Sequence, residues 1–137
     1  MAPFSEVSDG VTKRLDRAGD GKTVPKEGSD VWVHFTAVLS ESRSFVDSSR
    51  GEVPTTVAGI TVLKKAMPFR FTLGSHTTIE GWEVALPTMS LGERSTFVFA
   101  AELCYGKEGK GTQVPPNSAL EYDLELVGVD GKYYTEN

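Results

Sequence analysis

Between Asp30 and Leu39 the chain alternates in hydropathy, with Val31, Val33, Phe35, Ala37 and Leu39 on one face and Trp32, His34, Thr36 and Val38 on the other. A period of two marks a strand that lays one face on a core. Comparable runs predict strands over 10–17, 44–47, 69–73, 94–101 and 119–129, the last placing Leu120, Tyr122, Leu124 and Leu126 on a common face. One stretch reads as helix instead. Thr77-Thr-Ile-Glu80 has the spacing of a capping box, in which a threonine and a glutamate side chain satisfy the first free N–H groups of a helix. Ile79, Trp82, Val84, Ala85 and Leu86 follow, and Pro87 ends helical growth because it lacks an N–H and clashes with the preceding turn. Several strands, one short amphipathic helix and two further strands predict an α+β domain, with an antiparallel sheet packed on the helix.

Composition narrows the classes. A chain of 137 residues suits one domain with one core, and 39% hydrophobic with 24% charged residues is ordinary for a globular protein. The net charge of −5 argues against a nucleic-acid surface, which is normally basic. Cys104 is the single cysteine, so no internal disulfide can form, which fits a reducing compartment. The chain has no apolar run near the ~18 residues of a membrane span, and its first residues lack the basic-then-apolar order of a signal peptide. A cytoplasmic protein with no membrane or nucleic-acid partner is expected.

Covalent and metal chemistry find little support. Gly19-Asp-Gly-Lys22 lacks the glycine spacing and the following hydroxyl of a phosphate loop and reads as a turn. His34 and His76 have no carboxylate or cysteine neighbours at metal-ligand spacing, so no metal or other cofactor is expected. Ser48-Ser49 stands in no elbow-like glycine context for a hydrolase nucleophile. Cys104 reads as a small buried residue, and 107–110 (KEGK) as a solvated loop.

Four ordered segments nevertheless carry a specific pattern. They are Val33-His-Phe-Thr36; Asp47-Ser-Ser-Arg50; Pro68-Phe-Arg-Phe-Thr-Leu-Gly74 leading to Ile79-Glu-Gly-Trp-Glu83; and Tyr105-Gly106 through Val114-Pro-Pro116 to Leu120-Glu-Tyr-Asp-Leu-Glu-Leu126. Met89-Ser-Leu-Gly-Glu-Arg94 forms a matching turn. Each segment alone is weak, but in this order across 10–129 they closely resemble the FKBP-type immunophilins, which are peptidyl-prolyl cis/trans isomerases. The resemblance implies a half-open antiparallel sheet wrapped around one short helix, with an apolar pocket between them. It places Trp82 at the pocket floor, Phe35, Phe69 and Tyr122 at the walls, and Thr78 and Ile79 where the helix begins. Tyr105 and Val114 become a flap, Asp47 a buried-leaning acid at the rim, and the Ile79 N–H and Tyr105 hydroxyl hydrogen-bond donors to a ligand. It further implies binding of proline-containing peptides and protein clients, of macrolide immunosuppressants such as tacrolimus and rapamycin, and of a phosphatase or kinase in the drug-bound form.

The chain departs from the family pattern at several points. Phe35 stands where tyrosine is usual, removing a hydroxyl that would bond Asp47. Ser44-Phe-Val-Asp47 is one residue longer than usual, so either Phe45 or Val46 takes the wall position, most simply through a bulge. Leu103-Cys104 replaces a more polar-aromatic lead into Tyr105. Residues 51–67 form an insertion whose β-branched content favours extended structure, as a lid or extra strand on the sheet or as a partner surface. The expected organisation is a single domain over 1–137 with core 10–129 and tail 130–137. The rival to an isomerase is a non-catalytic chaperone or adaptor on the same fold.

Overall fold

In the computed structural model, strand Asp30–Leu39 (β3) is the spine of the sheet, because it is paired along both edges. Residues 3–51, 54–57, 60–63 and 66–135 are described, the two short pieces as backbone alone. The chain contributes Ser5–Ser8 (β1), Val11–Arg17 (β2), β3, Phe45–Ser48 (β4), Pro54–Val57 (β5), Ile60–Leu63 (β6), Phe69–Thr72 (β7), helix Glu80–Ala85 (α1), Arg94–Phe99 (β8), Leu120–Val129 (β9) and Lys132–Tyr133 (β10). The sheet runs β1-β2-β8-β9-β3-β4, with β10 on β9, β7 on β3 and antiparallel pairing throughout.

One edge of β3 pairs with β9 from Val31 to Leu39, with a register shift after Trp32. The other is shared: β7 pairs with Asp30 to Val33 and β4 with Thr36 to Val38. Phe35 lies in the gap, where its N–H and C=O would go unpaired at a cost comparable to a lost hydrogen bond. Ser49 fills that gap, its hydroxyl accepting the Phe35 N–H at 2.8 Å and its own N–H donating to the Phe35 carbonyl at 3.0 Å. The Ser48 hydroxyl donates to the same carbonyl at 3.1 Å. Ser48 and Ser49 are buried for this reason, and they fix the direction in which Phe35 projects.

The predicted alternation is observed. Val31, Val33, Phe35 and Ala37 of β3, and Leu120, Tyr122, Leu124 and Leu126 of β9, all face one buried cluster. Helix α1 lies on that face through Trp82 and Ala85. The helix differs from the expectation at its start. Ile79 is the N-cap in an extended conformation without a side-chain cap, and the capping box does not form. The Thr77 hydroxyl lies 2.9 Å from that of Ser75, and the Glu80 carboxylate meets the His76 imidazole at 2.8 Å. Both side chains are thus drawn away from the helix N–H groups. After Ala85 the chain tightens into a 3₁₀ turn over Leu86–Thr88, with Pro87 inside it.

Within the insertion, β5 and β6 pair antiparallel as a two-stranded sheet of their own, not as an added strand of the main sheet. The extended expectation therefore holds for those residues, and the rest of 51–67 lies largely outside the described residues. Its base is closed by the Met67 N–H donating to the Ser49 carbonyl at 2.9 Å.

Candidate functional site

Four aromatic side chains from four elements converge on the inner face. Phe35 comes from β3, Phe69 from β7, Trp82 from α1 and Tyr122 from β9. The Trp82 ring centroid lies 5.2 Å from Phe35, 5.7 Å from Phe69 and 5.7 Å from Tyr122, each contact edge-to-face. Rings at such spacing prefer edge-to-face arrangements because a positive edge meets a negative face. The indole thus forms a floor that three rings hold in one orientation. Around it lies a cavity of about 220 Å³, completed by Val46 and Asp47 from β4, Thr77, Thr78 and Ile79 before the helix, and Tyr105, Lys110 and Gln113 from the loop between β8 and β9.

Gly81 makes this floor possible. A β-carbon there would stand 2.7 to 2.9 Å from ring atoms of Phe99. With no side chain at that position, α1 can settle onto Phe99, which is itself 5.7 Å from Tyr122. Trp82 is 4% exposed, and its Nε1 has no hydrogen-bond partner among the described residues. The indole is seated by its ring contacts rather than by a hydrogen bond.

Polar groups share the cavity lining with the rings. Burial holds the Tyr122 phenol far above its ordinary pKa, and the hydrogen-bonded Tyr105 side chain adds to the effect. Tyr122 is therefore neutral at physiological pH and presents an O–H dipole, not a charge. The Ile79 N–H makes no hydrogen bond to another described residue. Asp47 accepts from the Ser48 N–H at 2.8 Å. Nearby, burial pushes the Cys104 thiol up to about 12, so it is not a thiolate nucleophile at neutral pH.

Of the residues singled out in the sequence, Phe35, Val46, Asp47, Phe69, Thr78, Ile79, Trp82, Tyr105 and Tyr122 all border this cavity. Two do not. Phe45 is 40% exposed and stands off the cavity, whereas Val46 is buried and lines it. The cause is a bulge: Ala37 pairs with Asp47 and Val38 with Phe45, leaving Val46 as the extra residue. Val114 is 1% exposed and packs into the core instead of lining the cavity. Asp47 is exposed at the rim and not buried-leaning. Thr77, Lys110 and Gln113 line the cavity without having been singled out. Lys110 lay in the stretch 107–110 whose polarity reads as solvated loop, and Gln113 just beyond it; the one available signal was glycine at 106, 109 and 111, which permits tight folding back onto the pocket.

His76 stands in the loop before α1 and is paired with Glu80. That hydrogen bond and charge hold its pKa above the ordinary value. Among the described residues no group of histidine, cysteine or carboxylate side chains has the arrangement of a metal site, and no helix is long and apolar enough to cross a membrane.

Residues 21–127 match the family model of FKBP-type peptidyl-prolyl cis-trans isomerases. The chain belongs to this family. It is 36% identical to FK506-binding protein 1 of Yarrowia lipolytica over 88% of this chain and 99% of that protein. It is also 36% identical to the peptidyl-prolyl cis-trans isomerase Fkbp12 of Drosophila melanogaster, over 82% of this chain and 91% of the relative. Among solved structures, the N-terminal domain of FKBP42 from Arabidopsis thaliana superposes with a TM-score of 0.78 at 25% identity, covering 95% of this chain and 94% of that one. This FKBP-type isomerase thus shares the half-open antiparallel sheet and single short helix of the fold.

Proposed function

We propose that this FKBP-type chain isomerises X-Pro peptide bonds in the aromatic cavity over Trp82, with Phe35, Phe69 and Tyr122 as walls and with Val46, Ile79 and Tyr105 contacting substrate. The observation that carries the proposal is the enclosure of the floor indole by three rings at 5.2 to 5.7 Å beside a cavity whose inner wall is aromatic. Rotation about a peptide bond costs ~18–20 kcal/mol because resonance keeps the amide planar. The planar form is the more polar one and water stabilises it; the twisted form has lost that charge separation. A water-excluding aromatic site therefore binds the twisted amide better than the planar one, and each ~1.4 kcal/mol of that difference gives tenfold in rate. The two isomers of an X-Pro bond differ by only ~1 kcal/mol, so lowering the barrier is all that the reaction requires.

The polar edge orients the substrate. The Ile79 N–H can donate to a substrate carbonyl, and the Tyr105 and Tyr122 hydroxyls stand beside it. The reaction needs neither nucleophile nor metal. Macrolides of the FK506 type would occupy the same cavity, with Asp47 accepting a ligand hydroxyl at the rim, and protein clients and a drug-dependent partner would approach the same mouth. A single isomerase domain acting in the cytoplasm is part of this reading. The test is exchange NMR on a Leu-Pro peptide. Catalysed interconversion that is lost in Trp82→Ala, with the circular dichroism of the fold retained, is expected. No catalysis by the wild-type chain would refute it and favour a binding module.

A further inference from the structure

The loop between β8 and β9 sets a cation at the pocket wall. Lys110 borders the cavity, and its ammonium stands 5.2 Å from the centre of the Tyr105 ring. A charge over an aromatic face is held there by the ring quadrupole. Its backbone is fixed as well. The Lys110 N–H donates to the Val114 carbonyl at 2.8 Å, and the Val114 N–H returns a bond to the Lys110 carbonyl at 3.1 Å. Val114 is buried, which anchors this pair in the core. Gly109 adopts φ +68°, and a β-carbon there would lie 2.3 Å from the Val114 carbonyl oxygen, so the turn folds this tightly only with glycine. The Gly109 N–H bonds the Tyr105 carbonyl at 3.1 Å, and the Asn117 N–H bonds the Gly106 carbonyl at 2.7 Å. Lys110 thus stands on a braced loop.

The ammonium also has no ion-pair partner among the described residues. Among the described residues no carboxylate lies within ion-pair distance of Lys110, although the chain carries a net charge of −5. The other charged lining residue, Asp47, arises from β4, a separate element from the Tyr105–Gln113 loop. From this geometry we infer that Lys110 is a specificity-determining residue, and that the preferred substrates are peptides with an acidic residue next to the isomerised proline. This rests on the cavity being the isomerase site. A proline seated over Trp82 leaves its neighbours at the mouth, where a glutamate side chain reaches the Lys110 ammonium. The attraction is equal for planar and twisted amide, so it belongs in KM and not in kcat.

The experiment compares, by exchange NMR, the peptides Ala-Xaa-Pro-Phe and Ala-Leu-Pro-Xaa, with Xaa glutamate, leucine or lysine. For at least one of the two series, the wild-type kcat/KM for glutamate is expected to exceed that for lysine by at least threefold, through KM, with the ratio shrinking toward one in 0.5 M salt. Lys110→Glu should invert the ratio and Lys110→Arg should keep it, each ratio being taken within one variant whose fold is checked by circular dichroism. Equal kcat/KM for glutamate and lysine peptides in both series, with the leucine peptides still turned over, overturns this inference alone. A ratio unaltered by Lys110→Glu overturns it too. Absence of catalysis on every peptide overturns the isomerase reading and this inference with it.

Discussion

Gly81→Ala sets two magnitudes against each other. Gly81 lies inside α1, where alanine is favoured over glycine by up to ~1 kcal/mol, so local propensity predicts stabilisation. Packing predicts the reverse. The new methyl would meet Phe99 ring atoms at 2.7 to 2.9 Å, whereas carbon pairs prefer ~3.5–4.0 Å. Relief needs a shift of roughly 1 Å by the ring or the helix. Phe99 cannot supply it cheaply, since it is fully buried, stacked on Phe97 at 5.7 Å with the rings 10° from parallel, and in contact with Tyr122. Overpacking of this kind costs ~1–3 kcal/mol. The net expectation is a loss of about 1–2 kcal/mol. With an unfolding entropy of ~2.1 cal/mol/K per residue, a chain of 137 residues has about 0.29 kcal/mol/K, so Tm should fall by roughly 3–7 °C. Differential scanning calorimetry reads this directly, and Gly81→Ala with Phe99→Leu should recover part of the interaction energy in a double-mutant cycle. Because the displaced element carries Trp82, isomerisation should weaken alongside stability. A Tm at or above wild type would refute the packing argument and leave propensity in command.

Three further outcomes follow from the geometry. Ligand binding in the cavity should change the emission of Trp82, while Trp32, which packs edge-on against Tyr133 at 6.3 Å away from the cavity, stays silent; a signal that survives Trp82→Phe and disappears in Trp32→Phe would contradict this. The His76 pKa lies above its ordinary value because of Glu80, so the pair stabilises the fold below the unfolded-state pKa near ~6.5 and this contribution is lost as pH rises through the folded value. Glu80→Gln should bring the His76 NMR titration back down, and an unmoved midpoint would break the assignment. Replacing 51–67 by a short Gly-Ser link should keep the fold and leave small-peptide isomerisation within about tenfold, ~1.4 kcal/mol in barrier. The Met67 to Ser49 bond already brings the two ends together. Failure to fold would place the insertion in the core.

The sheet was readable because β3 and β9 alternate cleanly and are buried on one face only, the condition under which a period of two reports structure. β1 was not readable, since all four of its residues are exposed and only its pairing with β2 defines it. The capping box misled because spacing cannot reveal competitors: His76 captures Glu80, and Ser75 engages Thr77. At the site, the ring-bearing residues were legible through family resemblance, but not the division of labour within β4. That depended on register, which no local pattern encodes. Lys110 was invisible for a related reason: its place depends on a turn closing onto Val114, not on the character of the lysine.

The bulge at Val46 has a consequence for how such a chain tolerates a change in length. One additional residue in a regular strand would transpose inside and outside for everything beyond it, as a slipped reading frame garbles a message. Here the pleat absorbs the surplus locally: Ser48 remains inside and Asp47 remains at the rim, on the proper side of the extra residue. The surplus instead falls on the choice of wall, seating a compact branched side chain where a ring could stand and turning Phe45 to solvent. A single-codon change in this hairpin is therefore heard as a new pocket contour, while the architecture around it keeps its phase.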